Sequence, residues 1–512
     1  MVTPTPEPPP FDVAVIGTGF GGLGAAMKLV DEGANIVVFD ALKYPGGCAS
    51  TFSRWGAEYE SGATLFSGFA PGQLFHDWMT RHNLNVEFQP LDPLVEFRTP
   101  DFTLEIPRSR EELLDRLCNL PDAPSDKIRA FFAKQQRVAD LLWSLFDEPS
   151  LLPPFGLKEL ATHVARSPKY LELLPMVAKP LGRVLREFDL HEYTPLLTYL
   201  NAICQITIQT NATYAETPFA FATMDYYFRG TGHIKGGIGE LAWALLRHLQ
   251  ANGADTRMAD AVTKIEREDG LWRVTSRRSS VLARRVVANV LPQNLVELTG
   301  TPTAELDDLT KRVQEGWGAV MLYLQVDNDA LSADAHHYEI VADPGIPFEE
   351  GNHLFVSMSA SDENKSRKGY RTVTISTHLR MTKLMALDQE AQGQLIQEIQ
   401  DTMRQNLARF VPEIANHIYI EMTASPRTFE RFTRRKHGYV GGIPRVAGWD
   451  NYRNFWPREF FPGLYLVGDS VFPGQSTLAT AIGGVKTAES LLSSITLQRR
   501  QVPHSSLSQS TL

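Results

Sequence analysis

Gly17-Thr18-Gly19-Phe20-Gly21-Gly22 has the spacing G-x-G-x-x-G and follows directly on the apolar run FDVAVI at 11–16. Gly17 permits a tight turn, Gly19 lets the backbone approach a pyrophosphate, and Gly22 lets the next helix pack closely. The first turn of that helix offers free N–H groups and a positive dipole end to phosphate. Asp40, about 20 residues past the glycines, ends a second apolar run at 35–39. There a carboxylate can accept hydrogen bonds from ribose hydroxyls, and it disfavours a nicotinamide cofactor with a 2′-phosphate. Gly46-Gly47 makes a further turn after the acid. Near the other end, Gly468-Asp469 closes the run at 464–467, and Ser476-Thr477 can cap a last helix. The positive end of that helix could stabilise negative charge developing on a bound group.

The elements that must position these residues are legible as patterns. Run, glycine turn, helix at 23–32 and second run form a βαβ unit. The stretch 84–106 alternates apolar and polar residues with Pro93 and Pro100 at turns, which predicts antiparallel strands. From about 110 to 200 the pattern is helical. A glycine turn at 230–239 precedes a helix at 240–250. Strands follow at 271–276, 285–291, 319–326 and 372–377, then helices at 387–408 and 476–492. Strand–turn–helix units at both ends predict an α/β protein with a Rossmann-type domain assembled from discontinuous segments. That domain is expected at 11–75, 230–295 and 425–495. An inserted α+β substrate domain is expected at 76–229 and 296–424, with a helical lid or membrane-contact region at about 110–200. Loose tails are expected at 1–10 and 496–512.

The 512 residues allow two or three domains, and a net charge of −9 argues against nucleic acid as partner. Three scattered cysteines give neither metal spacing nor a disulfide framework. The proline-rich start MVTPTPEPPP does not read as a signal or transit peptide. No run reaches the roughly 20 apolar residues of a membrane span. A cytoplasmic, peripherally membrane-associated protein is the expectation.

The fingerprint with its added Gly46-Gly47, and with Leu23, Ala26, Leu29, Gly33 and Val38, resembles that of the amine-oxidase-like flavoproteins. Asp40 departs from the glutamate usual there, one methylene longer but of the same chemistry. The words GDSVFPGQ at 468–475 and the small-residue helix after them resemble the carotenoid desaturase and carotene isomerase branch of that family. So do PGGCAST at 45–51, KGGIGEL at 235–241, VVANVLP at 286–292 and SPRTFERFTRRKHGYVGGIP at 425–444. The resemblance implies FAD as cofactor, with contacts at Gly17, Gly19, Phe20, Gly22, Asp40, Gly46, Gly47, Val262, Gly468, Asp469 and Thr480. It implies a long apolar polyene as substrate, held in an apolar tunnel and either desaturated or isomerised. Both reactions stay open, as do the electron acceptor and the oligomeric state.

The apolar blocks at 130–160, 171–185 and 219–228 line such a tunnel or are simply core. LLPPFGL at 151–157, with Lys158, Arg166, Lys169 and Lys179 nearby, reads as a loop dipping into a bilayer or as a lid over the substrate. No catalytic residue is assigned. His233 is an acid–base candidate or merely a hydrogen-bonded turn histidine, and Glu240 is better read as first-turn helix chemistry. Arg434-Arg435-Lys436 is a solvated run or a contact for phosphate or lipid headgroups. Two other functions share the fingerprint: an amine or amino-acid oxidase, and a flavin-bearing lipid carrier without turnover.

Overall fold

The computed structural model describes residues 9–494 apart from 63, 333–335, 454 and 458. The tails expected at 1–10 and 496–512 lie outside the described residues, but for residues 9 and 10. The run at 11–16 forms the central strand Phe11–Ile16 of the first sheet. It is apolar on both faces because both are covered: Ala14 and Ile16 enter one core, Val13 and Val15 the other. Parallel neighbours flank it. Ile36–Phe39 and then Asp255–Arg257 lie on one side, Ser280–Ala288 and then Leu464–Leu466 on the other. The strand Ser280–Ala288 has two roles. Its last three residues pair in parallel with Leu464–Leu466, while its first part pairs antiparallel with Leu271–Ser276, which continues to Val262–Glu268.

The fingerprint helix Phe20–Asp31 packs against the closing helix Thr477–Leu492. A Cβ on Gly24 would overlap the Ala481 carbonyl, and one on Gly484 would overlap the Gly21 carbonyl. The small residues therefore set how closely the two helices approach.

The second sheet has seven strands, in the order Ile418–Ala424, Trp317–Asp327, Tyr370–Arg380, His353–Met358, His337–Val341, Val95–Arg98 and Thr103–Ile106. The pair of His337–Val341 with Val95–Arg98 is parallel and the others are antiparallel. The alternating stretch at 84–106 thus supplies one edge. From 110 to 224 the chain is helical, and Phe131, Leu200, Ile203 and Phe221 share a core with Phe97, Leu104, Ile106 and Val341 of the second sheet. The segment from 425 first meets the second sheet: Pro426–Thr433 packs on Trp317–Asp327 and Ile418–Ala424. It rejoins the first sheet at Glu459–Phe461.

Candidate functional site

The C-terminal ends of four parallel strands converge on one cavity of about 1090 Å³. Ile16, Phe39, Asn289 and Val467 mark those ends. Ligands bind at this position in open parallel sheets because the loops and helix N-termini gather there. Ten of the eleven residues expected to contact cofactor line the cavity: Gly17, Gly19, Phe20, Asp40, Gly46, Gly47, Val262, Gly468, Asp469 and Thr480. Gly22 stands behind the turn instead. A Cβ there would overlap the Gly17 carbonyl, so its part is in helix packing.

The local geometry follows from residue type. Gly17 has φ +93°, and Gly46 and Gly47 have φ +107° and +61°, a region that side chains disfavour. Gly19 is the N-cap of the fingerprint helix and makes no side-chain cap hydrogen bond, which leaves first-turn N–H groups available to a phosphate. Phe20 packs edge-on against Phe66 and Phe75, at 5.8 and 5.7 Å between ring centres. The Asp40 carboxylate is fixed by three donors: the Thr18 N–H at 2.6 Å, the Thr18 hydroxyl at 2.5 Å and the Leu42 N–H at 2.7 Å. Burial raises its pKa, and those hydrogen bonds oppose the rise. Ser476, at φ +94°, accepts from the Ala479 N–H and caps the closing helix. The Thr480 hydroxyl donates back to the Ser476 carbonyl at 2.9 Å.

Asn289 of this end escaped the sequence reading, and Arg435 stood there only within a basic run of two possible readings. Asn289 follows the strand Ser280–Ala288, and its N–H donates to the Ile16 carbonyl at 2.7 Å. Cβ atoms on Gly17, Gly19, Gly21 or Gly468 would all press on Asn289, so it is the post around which the glycines are arranged. Its signal was the stretch VVANVLP. Arg435, from the basic run, donates to Asp469 at 2.8 Å and so braces the Gly468-Asp469 turn. Lys436 pairs with Glu297 at 2.5 Å.

From this cradle the cavity continues under the helical block. Leu142, Trp143, Leu145, Phe146 and Leu152 form one wall, Leu173 and Val177 another, and Phe219, Ala222 and Tyr226 a third. Each of the three apolar blocks therefore gives some residues to the wall and others to the core. Ile206, Ile208, Phe455 and Phe472 also line the cavity and carried no motif to announce them. Arg445 lines it as well, donating to the Pro473 carbonyl at 2.9 Å and lying 4.8 Å over the Phe219 ring. Burial, with Arg312 nearby, lowers its pKa to about 10, so it stays charged at neutral pH. His378 is also in the wall. Burial, with His353 adding, drives its pKa down to about 3, so it is uncharged at neutral pH.

The front of LLPPFGL is interior: Leu151 and Leu152 are buried, and Leu152 is cavity wall. The exposed apolar face belongs to the next helix, Leu157–Tyr170, which buries no residue. Leu157 is 86% exposed and Val164 66%, followed by Leu171 at 64% and Leu174 at 67%. Among the described residues no helix is long and apolar enough to cross a membrane.

His233 lies outside this cavity. Its Nε2 sits 2.9 Å from Glu363 Oε1, and Glu363 also accepts from the Gly236 and Ala360 N–H groups. Glu240 sits in the first turn of the helix Ile238–Ala251, 3.7 Å from Arg247. Burial alone would raise the Glu363 pKa, but the His233 hydrogen bond and charge lead the groups that lower it, to about 2. The ordinary carboxylate value is 4.5. The stabilisation that His233, the Gly236 N–H and Lys365 together give the Glu363 carboxylate, on the order of 3 kcal/mol, is therefore full above about pH 4.5 and is lost as pH falls through 2. His233→Gln should move the acid-unfolding midpoint, followed by circular dichroism, upward by about half a pH unit or more. An unchanged midpoint would remove the pair from the stability account.

Comparison with known proteins agrees with this geometry. Residues 15–81 match the NAD(P)-binding Rossmann-like domain family. Prolycopene isomerase 1 of an Oncidium hybrid cultivar is 24% identical, over 96% of this chain and 85% of its own length. The 4,4'-diapophytoene desaturase (4,4'-diapolycopene-forming) of a Methylomonas species is 22% identical, over 94% of this chain and 95% of its own. Among solved structures, a putrescine oxidase variant superposes with a TM-score of 0.63 at 14% identity, over 94% of this chain and 99% of its own. That last likeness speaks for the fold alone. The chain is thus similar over nearly its whole length to enzymes of the carotenoid desaturase and isomerase branch of the amine-oxidase-like FAD flavoproteins.

Proposed function

We propose that this enzyme acts on the conjugated or conjugatable chain of a carotenoid-like polyene, as a cis–trans isomerase or a desaturase, with FAD in the glycine cradle. The observation that carries the reading is one continuous cavity lined both by the glycine-rich strand–turn–helix and by an aliphatic and aromatic arm. Gly17, Gly19 and the open first turn of the fingerprint helix would hold the pyrophosphate, and Asp40 the ribose. Gly46, Gly47, Gly468 and Asp469 would flank the flavin end, with Phe20, Val262 and Thr480 completing the walls. The bound flavin supplies hydride acceptance or reversible electron donation, chemistry that no side chain provides. The chain's own part is to lay the polyene along the arm and keep water from it. His378 is neutral, which suits a wall that takes no charge from an apolar substrate. Relatives matching over nearly the whole chain include prolycopene isomerases, which favours isomerisation.

An amine oxidase needs a polar or aromatic cage for its amine; here Trp143, Phe146, Phe219 and Tyr226 share the arm with Leu142, Leu145, Leu152, Leu173 and Val177, whose aliphatic surface suits a long apolar chain. Co-expression in bacteria accumulating phytoene, ζ-carotene, neurosporene or prolycopene, with pigments separated by HPLC, tests the proposal. A product of unchanged mass and altered retention means an isomerase, and a longer chromophore means a desaturase. No change in any background, with hydrogen peroxide released on amine addition, would transfer the chain to the amine-oxidase reading.

The substrate dissolves in bilayers, so the enzyme must reach one. Leu157, Leu160 and Val164 stand on one face of a helix whose flanking segments supply the wall residues Leu152 and Leu173. We assign this face to the membrane surface, at the mouth of the arm, with Lys158, Lys169 and Lys179 able to meet anionic headgroups. Burying a leucine side chain is worth about 1.5–3 kcal/mol. Leu157→Glu with Leu171→Glu should weaken binding to anionic vesicles in flotation by roughly 100-fold or more, with FAD retained. Equal flotation of variant and parent would put the docking face elsewhere.

A further inference from the structure

Outside the cavity, Asp31, His82 and His248 gather behind the dinucleotide cradle. Their ligand-type atoms all lie within 4.8 Å of one another. Asp31 is the last residue of the fingerprint helix, His82 is the C-cap of the helix Leu74–Arg81, and His248 sits in the last turn of Ile238–Ala251. Three helix C-termini therefore point their negative dipole ends at one place, together with a carboxylate. That is a field for a cation.

The side chains are arranged accordingly. The two imidazole rings lie 4.3 Å apart, at 47° to each other. His82 Nε2 is 3.3 Å from Asp31 Oδ2. The His82 side chain is only 9% exposed, yet its Nε2 is buried without a properly formed hydrogen bond. A buried polar atom left in that state costs free energy unless something else meets its lone pair. A metal ion does so, because neutral imidazole is a ligand through that lone pair.

We propose that Asp31, His82 and His248 form a binding site for a divalent transition-metal ion, Zn²⁺ first, which clips three helix ends together on the back of the cofactor-binding sheet. Two imidazoles and one carboxylate suit Zn²⁺, with water as fourth ligand. Bonds of about 2.0–2.2 Å place tetrahedral ligand atoms roughly 3.3–3.6 Å apart. Rotation of the Asp31 side chain, more exposed than that of His82, with a turn of the His248 ring would close the longest gap. The Asn252 amide already lies 3.3 Å from His248 Nε2 and donates to the His248 carbonyl at 2.9 Å, which steadies the end of that helix. None of the three ligands lines the cavity, so the site is structural and stands independently of the proposed reaction.

The test uses the FAD-loaded, tag-free full chain, stripped with a chelator and titrated with ZnCl₂ by calorimetry. One ion per chain should bind with micromolar affinity and raise Tm by about 1 °C or more. Co²⁺ in its place should give the absorption of a tetrahedral His/carboxylate site. His248→Gln, a change at a partly exposed side chain, and His82→Ala should each weaken binding by about tenfold or more and remove the Tm rise. No binding up to millimolar Zn²⁺ would overturn the proposal. Stoichiometric binding unchanged in both variants would also overturn it, placing the ion on others of the 13 histidines. Binding lost in the variants but without any Tm rise in the parent would remove the clip.

Discussion

Gly19→Val should give a folded protein that purifies without its flavin. Gly19 has φ −64° and ψ 165°, which valine also adopts, so the backbone is not what fails. The failure is one of space. A Cβ at this position overlaps the Asn289 side-chain amide and, on the proposed binding mode, stands between the pyrophosphate and the helix N-terminus. FAD affinity should fall by at least about 100-fold, which removes about 2.7 kcal/mol of ligand-linked stability at working cofactor concentration. Flavin absorbance per protein and Tm with and without added FAD read both effects. Gly33→Ala is the control within the same fingerprint. Gly33 has φ +81° and open space where a Cβ would go, so alanine there costs about 1 kcal/mol of backbone strain and leaves flavin content alone. Full flavin occupancy in Gly19→Val would mean that the glycine turn is not the cofactor cradle.

Ala222→Trp should separate cofactor from substrate. Ala222 lies on the helix Thr217–Met224, and its carbonyl accepts from the Trp143 indole N–H at 2.9 Å. Its side chain is in the wall of the apolar arm, away from the glycines. An indole there fills the arm while leaving the cradle untouched. Flavin content should stay at parent level, and turnover of a full-length polyene should fall by about 100-fold or more, the cost of displacing a substrate from its reacting geometry. A shorter polyene should lose less. Parent-level turnover of the full-length substrate would show that the arm is not where it lies. Loss of flavin together with turnover would show instead that the helix had been displaced.

The cofactor end was legible because local backbone geometry demanded particular residues in a short stretch. Gly17, Gly46 and Gly47 need positive φ, and Asp40 follows from the βαβ spacing. The central strands were equally clear, since an apolar run with both faces buried has few other uses. The strands His337–Val341 and His353–Met358 were missed. Their buried polar residues, His337, Glu339 and His353, break the apolar alternation that would have announced them. Glu339 and His353 satisfy each other across the pair at 2.9 Å, a compensation that exists only in three dimensions. Which residues of the three apolar blocks make the wall of the arm was not legible, for a related reason. Leu142 and Val138 sit one helical turn apart on Ser125–Asp147, and only packing decides that one faces the cavity and the other the core. Asn289 and Arg435 likewise act through residues far away in sequence. The exposed apolar face lies one element beyond the loop at 151–157, because the periodicity of Leu157, Leu160 and Val164 belongs to the helix that follows.

The central claim is that one cavity holds both a flavin and a polyene and that the enzyme changes the polyene's double bonds. It is tested most directly with purified FAD-loaded protein, incubated with single carotenoids in anionic liposomes, with the flavin either oxidised or reduced beforehand and products resolved by chiral-independent HPLC and mass spectrometry. Conversion of a poly-cis carotenoid to an isomer of equal mass with reduced flavin, or loss of two hydrogens per step with oxidised flavin, is the predicted result. Protein that carries stoichiometric FAD, binds the liposomes and leaves every carotenoid unchanged in both redox states would contradict it.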